Sequence, residues 1–274
     1  MSVSNNRIKI LLAGVTGWTG EAVARAILDS DDLELVGAVS RKKAGEDVGT
    51  LLGRVPQGLK IESSMSGALA AAAGEVDVFI DYTSAHSVKE HVLAALEQGI
   101  ATIVGSSGLS ASDFEQIDRL AKERCCGVIA CGNFSITAAL AKHFSLIAAK
   151  YLPHREIIDY ASGGKIDAPS GTARELAEEL ALVQANQLLR PVEQTIGSIE
   201  ARGAQLGGTP VHSLRLPSYI LSFETIFGLP DERLTIRHDA GASAAPYVDG
   251  TLLAVRRVKE IKGLVRGLDN LLFS

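Results

Sequence analysis

A short apolar run, Ile8 to Leu12, leads straight into Gly14-Val15-Thr16-Gly17-Trp18-Thr19-Gly20 and then into a helical segment, Glu21 to Leu28. Strand, glycine turn and helix in that order restrict the fold more than any other part of the chain. Glycines let the backbone pass close to a pyrophosphate, and the helix start turns free N–H groups toward it. The spacing here is G-x-x-G-x-x-G, a departure from the G-x-G-x-x-G of dinucleotide-binding turns. Taken alone, the motif also fits a tight turn that binds nothing.

The residues that follow support the nucleotide reading. A second strand, Leu33 to Val39, ends at Ser40-Arg41-Lys42-Lys43. NAD-binding chains place Asp or Glu about twenty residues beyond the glycines, on the ribose 2′-hydroxyl. A serine and three cations stand there instead. Guanidinium and ammonium groups pair with phosphate, so NADPH is expected over NADH, which would bind more weakly. The bland alternative is a solvated basic loop.

Val76 to Tyr82, Ala101 to Val104 and Val128 to Ala130 read as further strands, with helical spacing over Ser84 to Gln98. Ser112 with Glu115 reads as a capping box that starts a helix through Lys122. Repeated strand–helix alternation implies a doubly wound parallel sheet of the α/β class. Its ligands sit at the carboxyl ends of the strands. Three small, polar loops fall there and suit a nicotinamide pocket: Thr83-Ser84-Ala85, Gly105-Ser106-Ser107-Gly108 and Cys131-Gly132-Asn133-Phe134-Ser135.

The second half changes character. Ile136 to Tyr151 reads as a linking helix, and Arg155 to Tyr160 as a strand. Lys165-Ile166-Asp167-Ala168-Pro169-Ser170-Gly171-Thr172 then opens a helix, Ala173 to Ala185. A lysine before a helix N-terminus suits a carboxylate, because the N–H groups and the dipole end favour an anion. Lys165 is also a candidate proton source, with Tyr160 a second. Asp167 reads as a residue that orients the turn. Val211 to Leu216, Tyr219 to Phe227 and Arg233 to His238 read as strands, punctuated by Pro217-Ser218 and Leu229-Pro230-Asp231. Strands following an α/β region indicate a separate α+β domain. The last stretch, Ala244 to Ile261, is helical, and its face of Val248, Leu252, Val255 and Val258 is expected to pack on the first domain.

Composition excludes several classes. A net charge of −5 argues against a nucleic-acid footprint. No apolar run has the length of a membrane span, and the first residues lack an apolar signal core, so a cytoplasmic protein is expected. Cys125, Cys126 and Cys131 are odd in number and clustered, which fits neither a disulfide framework nor a zinc site. The six histidines are dispersed without metal-ligand spacing, so no metal is expected.

Taken together, these segments resemble the 4-hydroxy-tetrahydrodipicolinate reductase (dihydrodipicolinate reductase) family nearly end to end. Asp81-Tyr82-Thr83 stands for D-F-T, Val104-Gly105-Ser106-Ser107-Gly108 for I-G-T-T-G, and Asn133-Phe134-Ser135 for N-F-S. Lys165 with Asp167 to Thr172 matches K-x-D-A-P-S-G-T, the most specific of these. His212 to Pro217, Glu224 to Gly228 and Leu234 to His238 match later segments. The resemblance implies a Rossmann-like domain over residues 1–134 and 244–274. It also implies a mixed-sheet substrate-binding and tetramerisation domain over residues 135–243, and a homotetramer. It implies hydride transfer from a nicotinamide cofactor to an unsaturated cyclic imine dicarboxylate. Its cofactor contacts fall on Gly14, Gly17, Trp18, Thr19, Gly105, Ser107 and Gly132 to Phe134, beside Thr16, Gly20, Thr83 and Ser106 of the same loops. Its carboxylate contacts fall on Gly171 and Thr172, beside Ser170.

The departures cluster. The family pattern E-x-H-H-x-x-K becomes Asp159-Tyr160-Ala161-Ser162-Gly163-Gly164-Lys165, so Ala161 and Ser162 replace two histidines. The first histidine is given a proton-transfer role in the family and the second a substrate contact, which Ser162 would take over. Trp18-Thr19 replaces R-M, and Phe223 replaces a histidine. An altered pocket with the hydride side kept leads to the expectation of a related but different substrate, less polar near Ala161 and Phe223. The alternatives are the lysine-pathway reaction itself and a non-catalytic NADPH-binding scaffold.

Overall fold

The computed structural model describes residues 7–273. They divide into two compact units, one running to Ile136 and resuming at Ala244, the other Thr137–Ser243.

The first unit opens with β1 (Ile8–Ala13), α1 (Trp18–Leu28), β2 (Leu33–Val39), α2 (Val48–Leu51), β3 (Ile61–Glu62) and α3 (Met65–Ala71). It continues with β4 (Val78–Asp81), α4 (Val88–Glu97), β5 (Ala101–Val104), α5 (Ala111–Glu123) and β6 (Gly127–Ala130). The second unit holds α6 (Ile136–Ala149), β7 (His154–Ala161), α7 (Gly171–Val183), β8 (Ala204–Leu206), β9 (Thr209–Arg215), β10 (Leu221–Leu229) and β11 (Glu232–Ala240). The chain then returns to the first unit as α8 (Ala245–Arg257), β12 (Gly263–Arg266) and α9 (Leu268–Phe273).

The first sheet runs β12-β6-β5-β4-β1-β2-β3, all parallel. Helices on both faces bury its central strands completely, so these strands read as continuous apolar runs. Ile10, Leu11 and Leu12 of β1 and Phe79 and Ile80 of β4 are fully buried. Each such side chain contributes roughly 1.5–3 kcal/mol of transfer free energy. The strand order reverses beside β1, and the glycine turn leaves β1 at that switch point, where α/β sheets open a crevice.

Local signals set the helix ends. Helix α1 begins at Trp18, three residues before the sequence expectation, because Gly17 is already its N-cap. The capping box of α5 is Ser110 with Asp113, not Ser112 with Glu115. Ser110 accepts the Asp113 amide, and the Asp113 carboxylate accepts the Ser110 amide. Asp113 also pairs with Lys89, which with these hydrogen bonds holds its carboxyl at about 2. Helix α8 stops at Arg257 rather than Ile261, and a 3-10 turn, Val258–Glu260, leads into β12. It packs on α1, and Gly250 lies so close to Phe134 that a Cβ there would stand 1.9 Å from the Phe134 carbonyl oxygen.

The second sheet runs β11-β10-β7-β9-β8 and is mixed, with only β7 and β9 parallel. Helices α6 and α7 cover one face, where Ile157, Val211, Phe223 and Phe227 pack with Leu176, Ala177 and Leu180. Asp159 lies opposite Phe223 and Ser213, and Tyr160 opposite Ser222 and Leu214. Strand residues alternate between faces, so Asp159 points under the helices and Tyr160 away from them. Phe223 is therefore a core residue, 2% exposed, and not the pocket wall expected from the sequence.

Candidate functional site

In the first unit, a cavity of about 450 Å³ opens at the carboxyl ends of β1, β2 and β4. Gly14, Thr16, Gly17, Ser40, Arg41 and Lys42 are among the residues that line it. The turn is built on close backbone approach. Gly14 has φ +90°, and a Cβ on it would lie 2.1 Å from the Tyr82 carbonyl oxygen. A Cβ on Gly20 would lie 2.0 Å from the Gly14 carbonyl oxygen. Gly20 is buried, so it serves the packing of α1 on the turn, as the last glycine of such motifs does. The Thr16 and Ser40 hydroxyls meet at 2.7 Å across the mouth of the cavity. Arg41 and Lys42 are exposed beside it, while Lys43 pairs with Glu46 at 2.9 Å.

The loops after β4 and β5 are tied by one buried carboxylate. Asp81 is fully buried. Its Oδ1 accepts the Thr83 amide at 3.0 Å, the Thr83 hydroxyl at 2.7 Å and the Ser106 hydroxyl at 2.5 Å. Its Oδ2 meets His91 Nδ1 at 2.8 Å. The side chains of Thr83 and Ser106 are thus turned to Asp81. Gly105 is held under the Tyr82 ring, where a Cβ would lie 2.1 Å from a ring carbon. The Tyr82 hydroxyl bonds Thr251 at 2.6 Å, and burial raises its pKa well above the usual range. Phe134 is a core side chain, 1% exposed and edge-on to Tyr82, so a ligand can meet only its backbone. Asn133 Oδ1 caps the Ser135 amide at 2.8 Å. Gly132 and Ser107 are exposed. Trp18 is 54% exposed and stands edge-on to Tyr247, with Thr19 beside it. None of Trp18, Thr19, Gly105, Ser106, Ser107, Gly132, Asn133 and Phe134 lines this cavity.

In the second unit, the lysine turn is anchored from below. Asp159, fully buried, accepts on Oδ2 the Ser170 amide at 2.9 Å, the Ser213 hydroxyl at 3.1 Å and Arg215 Nη2 at 2.8 Å. Burial alone would raise this carboxyl, but the Ser170 and Arg215 contacts outweigh it and hold it below the usual range. Arg215 Nη2 also donates to the Asp167 carbonyl at 2.8 Å. One guanidinium therefore joins the carboxylate that holds Ser170 to the Asp167 carbonyl, and the Ala168–Pro169 peptide between those two residues is cis.

Helix α7 starts on this base. Ser170 is its N-cap and accepts the Ala173 amide on its hydroxyl at 3.3 Å. The Arg174 amide closes on the Ser170 carbonyl at 3.0 Å. Of the four orphan donors at a helix start, Gly171 and Thr172 remain for a ligand. Open space surrounds Gly171. Lys165 Nζ meets Asp167 Oδ1 at 2.7 Å, and this contact pulls the Asp167 carboxyl down. Asp167 thus holds the lysine with its side chain and the turn with its carbonyl, a larger part than the orienting one read from sequence.

Tyr160 is placed elsewhere. Its hydroxyl donates to Glu224 at 3.0 Å, Arg237 lies 4.9 Å over its ring, and the Tyr219 ring lies tilted against it, centroids 4.8 Å apart. Burial first, then Glu224, raises its pKa. It belongs to the sheet face away from Asp159, and its hydroxyl is taken up by Glu224. Ala161 is fully buried, and Ser162 is partly exposed with its carbonyl receiving the Lys165 amide at 3.0 Å.

Residues 8–134 match the family model described as dihydrodipicolinate reductase, N-terminus, and residues 134–272 match the one described as dihydrodipicolinate reductase, C-terminus. The chain belongs to the dihydrodipicolinate reductase family. A 4-hydroxy-tetrahydrodipicolinate reductase of Moorella thermoacetica is 38% identical over 97% of this chain and 98% of its own. One from Thermosynechococcus vestitus is 35% identical, with 97% of each chain covered. The dipicolinate-bound dihydrodipicolinate reductase of a Paenisporosarcina species superposes with a TM-score of 0.81 at 30% identity, covering 97% of this chain and 99% of that one.

Within this dihydrodipicolinate reductase fold, sequence reasoning singled out the glycine turn and the lysine turn but missed what supports them. The Asp159–Arg215–Ser170 and Asp81–Ser106–His91 groups join residues far apart in the chain. In β4 the available signal was an acid at the end of an otherwise apolar strand, whereas β7 carries Arg155 and Glu156 as well, so Asp159 did not stand out there. No helix of the described residues is long and apolar enough to cross a membrane.

Proposed function

We propose that the chain is a nicotinamide-dependent reductase of 4-hydroxy-tetrahydrodipicolinate, the reaction named for its relatives. One observation carries this reading: the Lys165–Thr172 turn keeps two free helix amides beside a lysine held by its own aspartate. The relative solved with dipicolinate, a planar dicarboxylate, supports the same substrate class. The glycine turn fits a dinucleotide, because Gly14 and Gly17 leave backbone facing the cavity and Gly20 lets α1 pack closely on the turn. When bound, NADPH supplies a hydride.

The chain's own groups do the rest. The Gly171 and Thr172 amides and the α7 dipole bind a substrate carboxylate. Asp159 and Arg215 hold that turn rigid. Lys165 neutralises the second charge or delivers a proton as negative charge develops on the reduced group. Arg41 and Lys42, beside Ser40, favour the 2′-phosphate of NADPH over NADH. We further infer a homotetramer, supported by the partly apolar sheet face of Ile158, Leu214 and Ile226 that the helices leave open. Sedimentation velocity checks it, and a monomer would reject it.

The names of the relatives favour the lysine-pathway substrate over the altered substrate expected from sequence. The second reading rests on Ala161 and Ser162, which cannot replace two imidazoles in proton transfer. The test is NADPH oxidation with freshly generated 4-hydroxy-tetrahydrodipicolinate, beside a histidine-bearing family member. A rate comparable to the control supports the first reading. A background rate with NADPH still bound supports a different unsaturated acid as substrate, or a binding protein without turnover.

A further inference from the structure

The cavity in the first unit has a wall that the glycine turn does not explain. His91, on α4, lines the same cavity as Ser40, Arg41 and Lys42. Its side chain is only 16% exposed, and its ring stands edge-on to Phe79, so its orientation is fixed by packing. Nδ1 lies 2.8 Å from Asp81 Oδ2. The other oxygen of Asp81 already accepts from Thr83 and Ser106. A carboxylate only accepts, so Nδ1 carries the hydrogen, and in the neutral ring Nε2 is left as an acceptor. No protein group among the described residues bonds Nε2.

The geometry points to His91 as the residue that selects adenine at this end of the cofactor site, by accepting a hydrogen bond from the 6-amino group on Nε2. This rests on the dinucleotide reading above. The end of the cavity beside Ser40–Lys42 is the adenosine end, because the residues after β2 meet the ribose in such folds. Adenine presents an amino donor at position 6, whereas a 6-oxo purine presents an acceptor there. An acceptor fixed on a buried carboxylate matches the first and opposes the second. Asp81 is then a positioning residue with two duties: it sets the tautomer of His91 and ties the Thr83 and Ser106 loops.

The test compares binding of NADPH and its hypoxanthine analogue to the full chain, read by calorimetry and by nicotinamide fluorescence without substrate. The wild-type protein is expected to prefer NADPH by about tenfold, the scale of one purine group left unpaired against a buried acceptor. His91→Phe removes the acceptor and is expected to abolish the preference while weakening NADPH. Should that variant misfold, His91→Gln keeps a polar group of similar reach. Its amide can accept from the amino group or donate to the oxo group, so it is expected to bind both cofactors alike. Equal binding of both by the wild-type protein overturns the inference, as does a preference that survives in both variants. Failure of the wild-type protein to bind either dinucleotide overturns the cofactor reading instead.

Discussion

The Ser170 amide donates to the Asp159 carboxylate at 2.9 Å, which fixes the end of β7 to the start of α7. The residue that caps α7 is thereby positioned by a strand residue eleven positions earlier in the chain. Arg215 completes the arrangement from β9 at 2.8 Å. Position and charge are coupled, since the group that orients the turn also fixes its local electrostatics.

Arg215→Ala is expected to strip a fully buried carboxylate of its cation. Breaking such a pair costs about 3–5 kcal/mol. Urea denaturation should show that loss, and KM for the dicarboxylate should rise because the turn loses its anchor at the Asp167 carbonyl.

Acid should act on the same pair. The Asp159 carboxyl lies below its ordinary value when folded, with burial opposed and outweighed by Ser170 and Arg215. A depressed carboxyl stabilises the fold fully above its unfolded pKa of about 3.9 and loses that contribution as pH falls through the lower folded value. The stability gap between wild type and Asp159→Asn is therefore expected to be widest near neutrality and to close below about pH 4. Chemical denaturation at stepped pH measures it.

Lys165→Ala is expected to lower kcat/KM by about 10²–10⁴, the range of a lost general acid. NADPH affinity should not change, because the lysine belongs to the second unit and not to the glycine turn. Steady-state kinetics with separate cofactor titration checks both. Full activity in the variant would remove Lys165 from the mechanism.

Gly20→Ala places a methyl group 2.0 Å from the Gly14 carbonyl oxygen. Backbone must yield, and overpacking of this kind costs about 1–3 kcal/mol. The expected result is a lower melting temperature and weakened NADPH binding together, since the same displacement moves the glycine turn proposed to hold the cofactor.

Arg41→Ala with Lys42→Ala is expected to weaken NADPH by about 10- to 100-fold, the worth of one or two charged hydrogen bonds, and to leave NADH nearly unchanged. Fluorescence titration with both cofactors gives the ratio. An unchanged ratio would mark the segment as a solvated loop.

The sequence by itself determined the parallel sheet, the glycine turn and the lysine turn, because each is written in contiguous residues. Apolar runs such as Ile10–Leu12 can only be buried strands once helices flank them, and glycines spaced by three can only be needed where backbone passes backbone. It also marked Ala161 and Ser162 as departures, which needs nothing but the order of residues. Tertiary structure decided the rest. Phe223 looked like a pocket residue and is core, because the register of β10 against β7 puts it under α6 and α7. Tyr160, five residues before Lys165, faces Glu224 and Arg237, because strand residues alternate and Asp159 had taken the inner face. The pairs that hold the two turns, Asp159 with Arg215 and Asp81 with His91, join side chains 56 and 10 residues apart. Pairings of that kind depend on which face and which register each strand adopts, and those are properties of the packed sheet.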